Sequence, residues 1–212
     1  MLNWTQKTLK NAAAVAEKKN GSHRFLKDIC VRGGCVIATD AHILYKAKNS
    51  FIKNVGLIDK ENAKKGKPIF NDNNLIDFPE VDRCIPQRDA LPYKVDVDRD
   101  DLLACAEAAK KFTTLQKISY ITLMVHTEGG LTLKIGRLDQ ASITLNCAST
   151  NSGLDKAYII HFSPSYLVTA LRGFDKYDVL NIGFSKSNLR PFVINKSENN
   201  EQLYVITPMR PY

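Results

Sequence analysis

The stretch Tyr158-Ile-Ile-His-Phe-Ser-Pro-Ser-Tyr-Leu-Val-Thr-Ala-Leu-Arg-Gly-Phe174 holds a strand signal followed at once by a helix signal. Residues 158–162 are apolar and aromatic, as a strand requires. Ser163-Pro164 is a helix start, with serine at the N-cap and proline at the first helical position. Tyr166, Leu167, Ala170, Leu171 and Phe174 then recur at helical spacing. Reading outward, strands are expected at 179–184, 189–194 and 202–207. The same order stands upstream. A strand at 94–97 precedes Asp98, which caps a helix of about 99–112 with Leu102, Leu103, Ala106 and Ala109 on one face. Strands at 119–126, 131–135 and 141–147 follow, the first turn being Glu128-Gly129-Gly130. Residues 94–207 therefore carry strand-helix-strand-strand-strand twice. Such a duplicated unit predicts an α+β fold, with helices packed on one side of antiparallel sheets.

The first half is less regular. Residues 5–19 predict a helix with Thr5 as N-cap, a shallow stripe of Leu9, Ala12, Ala13 and Ala16, and an end at Asn20-Gly21. Residues 25–44 read as a β-hairpin turning at Gly33-Gly34, since paired glycines accept positive φ. Its return strand runs into Thr39-Asp40-Ala41-His42, a polar insert that either turns locally or has a function. Residues 46–76 are expected to be loop with one or two short strands. Prolines at 79 and 86 bar a helix between them, and 87–92 reads as an interdomain linker. The predicted domains are 1–90 and 91–212.

Composition narrows the function classes. The 212 residues are 44% hydrophobic, enough for a packed core. No run of about 18 apolar residues and no signal-peptide layout is present, so the expected location is cytoplasmic. Cys30, Cys35, Cys84, Cys105 and Cys147 are odd in number and scattered, which argues against a disulfide framework. A net charge of +8 favours an anionic partner, nucleic acid first. His23, Cys30, Cys35 and His42 are spaced too loosely for a zinc site. Asp40 and His42 form a dyad without a nucleophile motif. No P-loop or dinucleotide fingerprint occurs. The expectation is a protein without enzymatic activity, cofactor or metal.

Five motifs in order carry a resemblance. Ala38-Thr-Asp-Ala-His-Ile-Leu44 resembles Ala-Thr-Asp-Gly-His-Arg-Leu, and Phe78-Pro-Glu-Val-Asp-Arg-Cys-Ile-Pro86 resembles Phe-Pro-Asp-Tyr-x-Arg-Val-Leu-Pro. Phe162-Ser-Pro-Ser-Tyr-Leu167 and Leu189-Arg-Pro191 follow, and Tyr204-Val-Ile-Thr-Pro-Met-Arg210 resembles a terminal Tyr-Val-Val-Met-Pro-Met-Arg. The chain thereby resembles the bacterial sliding clamp, the β subunit of DNA polymerase III. The resemblance covers the family's middle domain, abbreviated between Leu44 and Phe78, and its last domain. It implies the DNA-clamp fold and a processivity factor that tethers a polymerase or repair protein to duplex DNA, placed on DNA by a clamp loader. With six clamp units to a ring, two per chain imply a trimer. The alternative is a non-ring adaptor that binds clamp-motif peptides without encircling DNA.

The resemblance also implies two sites. A groove between the domains would bind partner peptides through Leu26, Thr39, Ala41, His42, Leu44, Pro79, Arg83, Leu189, Pro191, Val205, Ile206, Pro208, Met209 and Arg210. Apolar residues with methionine suit such a pocket. Here Ala41 replaces the family's glycine, Ile43 replaces arginine, and Pro211-Tyr212 extend past the usual end. Helices would face DNA through Lys7, Lys10, Lys18, Lys19, Arg99, Lys110, Lys111, Arg172 and Lys176. These contacts would bind phosphate without reading sequence, as sliding requires.

Overall fold

The computed structural model describes residues 3–16, 26–72, 78–135, 143–197 and 199–210. Lys18, Lys19, Asn20, Gly21, His23, Pro211 and Tyr212 lie outside the described residues. The chain divides into two compact units, Met1–Cys84 with Glu201–Tyr204 and Ile85–Asn200 with Val205–Tyr212.

The first unit opens with helix α1 (Trp4–Val15). Its cap is Asn3, not Thr5: the Asn3 carboxamide accepts from the Gln6 N–H, and Thr5 is already helical. Thr8, Leu9, Ala12, Ala13 and Val15 form the buried face. The small alanines let the helix lie close to β1 (Ile29–Arg32), β2 (Cys35–Thr39) and β3 (Ile43–Lys48). Gly33 and Gly34 turn β1 into β2 at φ values of 56° and 68°. Such angles cost a side-chain-bearing residue about 1–2 kcal/mol, which is why this turn selects two glycines. β4 (Gly56–Ile58) and β5 (Phe70–Asp72) extend the antiparallel sheet beyond β1. Between them lies a short helix, α2 (Lys60–Lys64), in a stretch expected to be loop. Asp59 starts it by accepting from the Glu61 and Asn62 N–H groups, and it packs on α1. Residues 78–86 are not α-helical and contain a 3-10 turn at Val81–Cys84.

The second unit repeats the expected order. β6 (Tyr93–Asp98), α3 (Arg99–Gln116), β7 (Ile121–Val125), β8 (Leu131–Ile135) and β9 (Ile143–Cys147) are followed by β11 (Tyr158–Phe162), α4 (Pro164–Arg172), β12 (Val179–Phe184) and β13 (Phe192–Lys196). A strand that the sequence pattern missed, β10 (Ser149–Ser152), pairs with β6 because its polar residues complete an edge instead of a core. One sheet runs β10-β6-β12-β13 and the other β11-β7-β8-β9, every pair antiparallel. The last strand, β14 (Asn199–Ile206), contributes Glu201–Tyr204 to the first unit and Val205 and Ile206 to the second.

Two boundaries and one cap bond differ from expectation. Asp98 caps α3 as predicted, accepting from the Asp100 and Asp101 N–H groups, but the helix runs on to Gln116 and stops at Lys117, whose φ is 54°. Ser163 precedes α4 without a side-chain cap bond, so Pro164 and its fixed φ define that start. The strand expected from residue 189 begins at Phe192, because Ser187 O captures the Arg190 N–H in a turn. The core of the second unit is aromatic: Phe162 and Phe184 lie 5.0 and 5.5 Å from Phe192, and Tyr158 lies 5.1 Å from Phe184. Among the described residues no helix is long and apolar enough to cross a membrane.

Candidate peptide-binding residues and the basic helix face

The polar insert of the first unit is a turn. Asp40 Oδ1 accepts from the His42 and Ile43 N–H groups, both at 2.9 Å. The Thr39 hydroxyl donates to Ile43 O at 2.8 Å and accepts from the Ala41 N–H at 3.1 Å. These bonds hold Ala41 at φ 76°, a left-handed conformation that an alanine adopts only at a cost. The unit exposes Ala41 and His42 at the tip, while Thr39, Leu44 and Leu26 are buried. Arg83 is exposed on the 3-10 turn and Pro79 is half-buried. Arg32 fixes that segment by donating to Glu80 Oε1 at 2.8 Å and to Pro79 O at 3.3 Å.

The end of the chain belongs to the second unit. Val205 and Ile206 are 4% and 0% exposed, so they back the tail as core residues and offer no surface to a ligand. Pro208 and Met209 are half-buried and Arg210 is exposed. The Met209 N–H donates to His161 O at 2.7 Å, pinning the tail to β11. His161 itself lies opposite Thr122 in the β11–β7 register, with Nδ1 2.9 Å from the Thr122 hydroxyl. Tyr120 meets the imidazole edge-on at 5.7 Å. Burial holds the imidazole below its ordinary pKa, because the charged form loses hydration there. Sequence reasoning missed this polar trio. Its only trace was the alternation of polar with apolar residues along the two strands. In the same unit Leu189 is 54% exposed and Pro191 half-buried.

The structure brings three of the predicted cationic residues together. Lys110, Lys111 and Arg172 line a groove of about 520 Å³ between α3 and α4, with Glu107, Thr114, Leu115 and Val168. Arg172 donates from Nε and Nη2 to Glu107 Oε1 at 3.1 and 2.8 Å. Arg99 is a correction. It is 8% exposed, its Nε donates to Leu171 O at 2.9 Å and its Nη1 to Asp100, so it braces the helix pair and presents no charge to phosphate. The guanidinium hydrogen bond, with the Tyr177 N–H behind it, lowers the pKa of Asp100. Lys176 is exposed beyond α4. Lys7 and Lys10 sit half-buried on α1 of the other unit, Lys7 Nζ lying 5.7 Å from the Trp4 ring centroid. Lys18 and Lys19 lie outside the described residues.

Among the described residues no group of three or more His, Cys, Asp or Glu side chains could hold a metal ion. Cys30 is buried, which pushes its thiol up to about 11 and makes it a poor thiolate ligand. Asp40 is engaged by the turn, as described above.

No protein-family model matches the chain, and no curated protein does. Solved structures do. A DNA polymerase sliding clamp from Bacillus subtilis superposes with a TM-score of 0.80 at 16% identity, over 98% of this chain and 62% of that one. The fold is that of a DNA clamp. The β subunit of a Streptococcus pyogenes DNA polymerase gives 0.76 at 17% identity, over 97% and 64%. The DNA polymerase III β subunit of Thermotoga maritima gives 0.78 at 15% identity, over 98% and 63%. The chain thus spans a little under two thirds of the length of these clamps. At such low identity the likeness concerns the backbone. It accounts for the duplicated order in the second unit and for helices lying on antiparallel sheets.

Proposed function

We propose that this chain is a sliding-clamp-like processivity factor, which tethers a DNA polymerase or repair protein to duplex DNA. One observation carries the reading: almost the whole chain follows the clamp backbone, and its helices α3 and α4 gather Lys110, Lys111 and Arg172 on one face. Long cationic side chains at a helix face suit phosphate contact without base readout, and such contact weakens steeply with salt. In this reading the first unit corresponds to the clamp's middle domain, abbreviated in this chain, and the second to its last. A clamp loader and a trimeric ring are part of this reading. No metal or cofactor takes part in it, and none of its steps is enzymatic.

Partner peptides dock, in this reading, on residues from both units. The accessible members are Ala41, His42, Pro79 and Arg83 of the first and Leu189, Pro191, Pro208, Met209 and Arg210 of the second. Thr39, Leu26, Leu44, Val205 and Ile206 are buried. Met209 supplies an adaptable apolar contact for a peptide's Leu or Phe anchor.

Two experiments test the proposal. Solution mass, with retention on closed circular DNA and release on linearisation, tests topological tethering. A stable monomer with no retention leaves the adaptor reading in its place. Titration of a labelled clamp-motif peptide tests the docking residues. Met209→Ala combined with His42→Ala should weaken it about tenfold or more, by loss of an anchor contact. An unchanged affinity would remove these residues from the site.

A further inference from the structure

We infer that the α3–α4 groove is a docking site for an acidic protein segment carrying one apolar anchor residue. The groove combines two chemistries that a simple phosphate-contact face does not need together. Its rim is cationic, with Lys110, Lys111 and Arg172. Its wall and floor are apolar: Leu115 is 79% exposed, and the buried Val168 lies beneath. Covering the exposed Leu115 would remove its apolar surface from water, at about 25 cal/mol per Å².

Glu107 completes the rim. Its carboxylate lies in the groove and ion-pairs with Arg172, taking up one of the three cations. That carboxylate repels a phosphate and a peptide carboxylate alike, so the apolar wall at Leu115 is what separates the two occupants. A peptide can place its carboxylates on Lys110 and Lys111 and its apolar side chain between Leu115 and Val168. The volume of about 520 Å³ admits a short segment with one large side chain. The occupant is therefore an acidic, disordered segment of a protein partner, with an aromatic or branched anchor between its carboxylates. The inference shares Lys110, Lys111 and Arg172 with the nucleic-acid reading above and differs from it by Leu115, which has no part in that reading.

The test uses the full chain and a fluorescent synthetic peptide with one phenylalanine flanked by aspartates and glutamates. Measured by anisotropy at low salt, the peptide should bind. Replacing its phenylalanine by serine should abolish saturable binding. Leu115→Ser should weaken the peptide about five- to tenfold, the loss of one exposed apolar contact, and should leave binding of duplex DNA unchanged. Lys111→Glu should weaken the peptide by a similar factor, less as salt rises. Leu115 and Lys111 are exposed, so both variants keep the fold, which circular dichroism checks. Equal binding of the serine peptide, or no effect of Leu115→Ser, overturns the proposal and leaves a bare polyanion face. An equal loss of peptide and duplex affinity in Leu115→Ser overturns it in favour of nucleic acid. Duplex binding that fails while the peptide behaves as stated counts against the clamp reading only.

Discussion

The two units solve the same packing problem with different materials. The second buries rings: Phe162, Phe184 and Phe192 are each 1% exposed or less, and α3 and α4 are long enough to pack on one another. The first covers one sheet with α1, whose buried face is mostly alanine, and props α1 with the five-residue α2. Its largest buried rings are Tyr45 and Tyr204, 4.8 Å apart, the latter supplied by the end of the chain. Large rings tolerate imperfect neighbours and still bury much surface, whereas a helix of alanines requires close backbone approach. Gly66 shows that closeness: a Cβ there would meet the Gln6 side chain at 3.0 Å. The lesson is that a short helix can cover a sheet if small residues let the two lie close.

The contrast can be broken most directly at the rings. Phe162→Ala should destabilise the protein by about 3–5 kcal/mol in denaturant titrations. A loss near 1 kcal/mol would show that the ring cluster does not organise the second unit. Next in size, Gly153→Ala should cost about 2 kcal/mol or more, since its new methyl would stand 2.3 Å from Pro92 O at a φ of 79°. Wild-type stability in that variant would mean that the β6–β10 edge has room to shift.

In the first unit, Ala41→Gly should raise stability by about 0.5–1 kcal/mol. Relief of the left-handed alanine, about 1–2 kcal/mol, exceeds the extra freedom glycine gives the unfolded chain. No gain would say that the Thr39 and Asp40 bonds hold the turn without strain. The smallest effect concerns His161. Its folded pKa lies below the ordinary 6.5 because of burial. Above 6.5 both states are neutral and the group has no pH effect. As pH falls through 6.5 the unfolded chain takes the proton first, so stability drops until the folded imidazole also titrates. Melting temperatures of wild type and His161→Gln should converge near pH 8 and separate near pH 5.5, the wild type showing the steeper fall. The opposite slope would mean that the charged imidazole is stabilised where it sits.

Much of the second unit was legible in its residues. Asp98 and Pro164 mark helix starts through local chemistry, and apolar periodicity separates strands from helices without tertiary information. The ends were less legible. α3 outran its pattern through Thr113 to Gln116, where Thr113 is buried and the Thr113 and Thr114 hydroxyls donate to Lys110 O, neither of which apolar periodicity registers. The candidate sites divided in the same way. Lys110, Lys111 and Arg172 were found by charge, and their convergence follows from α3 packing on α4. Arg99 looked the same in sequence, yet its position at the α3 N-terminus turned it into the core.

Local sequence determined the hairpin turn at Gly33-Gly34 and the Asp98 cap, because each rests on a few neighbouring residues, and apolar periodicity determined the duplicated order. Tertiary structure alone decided which cations face solvent, that Val205 and Ile206 are core, and that the tail is pinned through Met209 to His161. Those outcomes depend on residues far apart in the chain, and no local preference encodes the partner that each one meets.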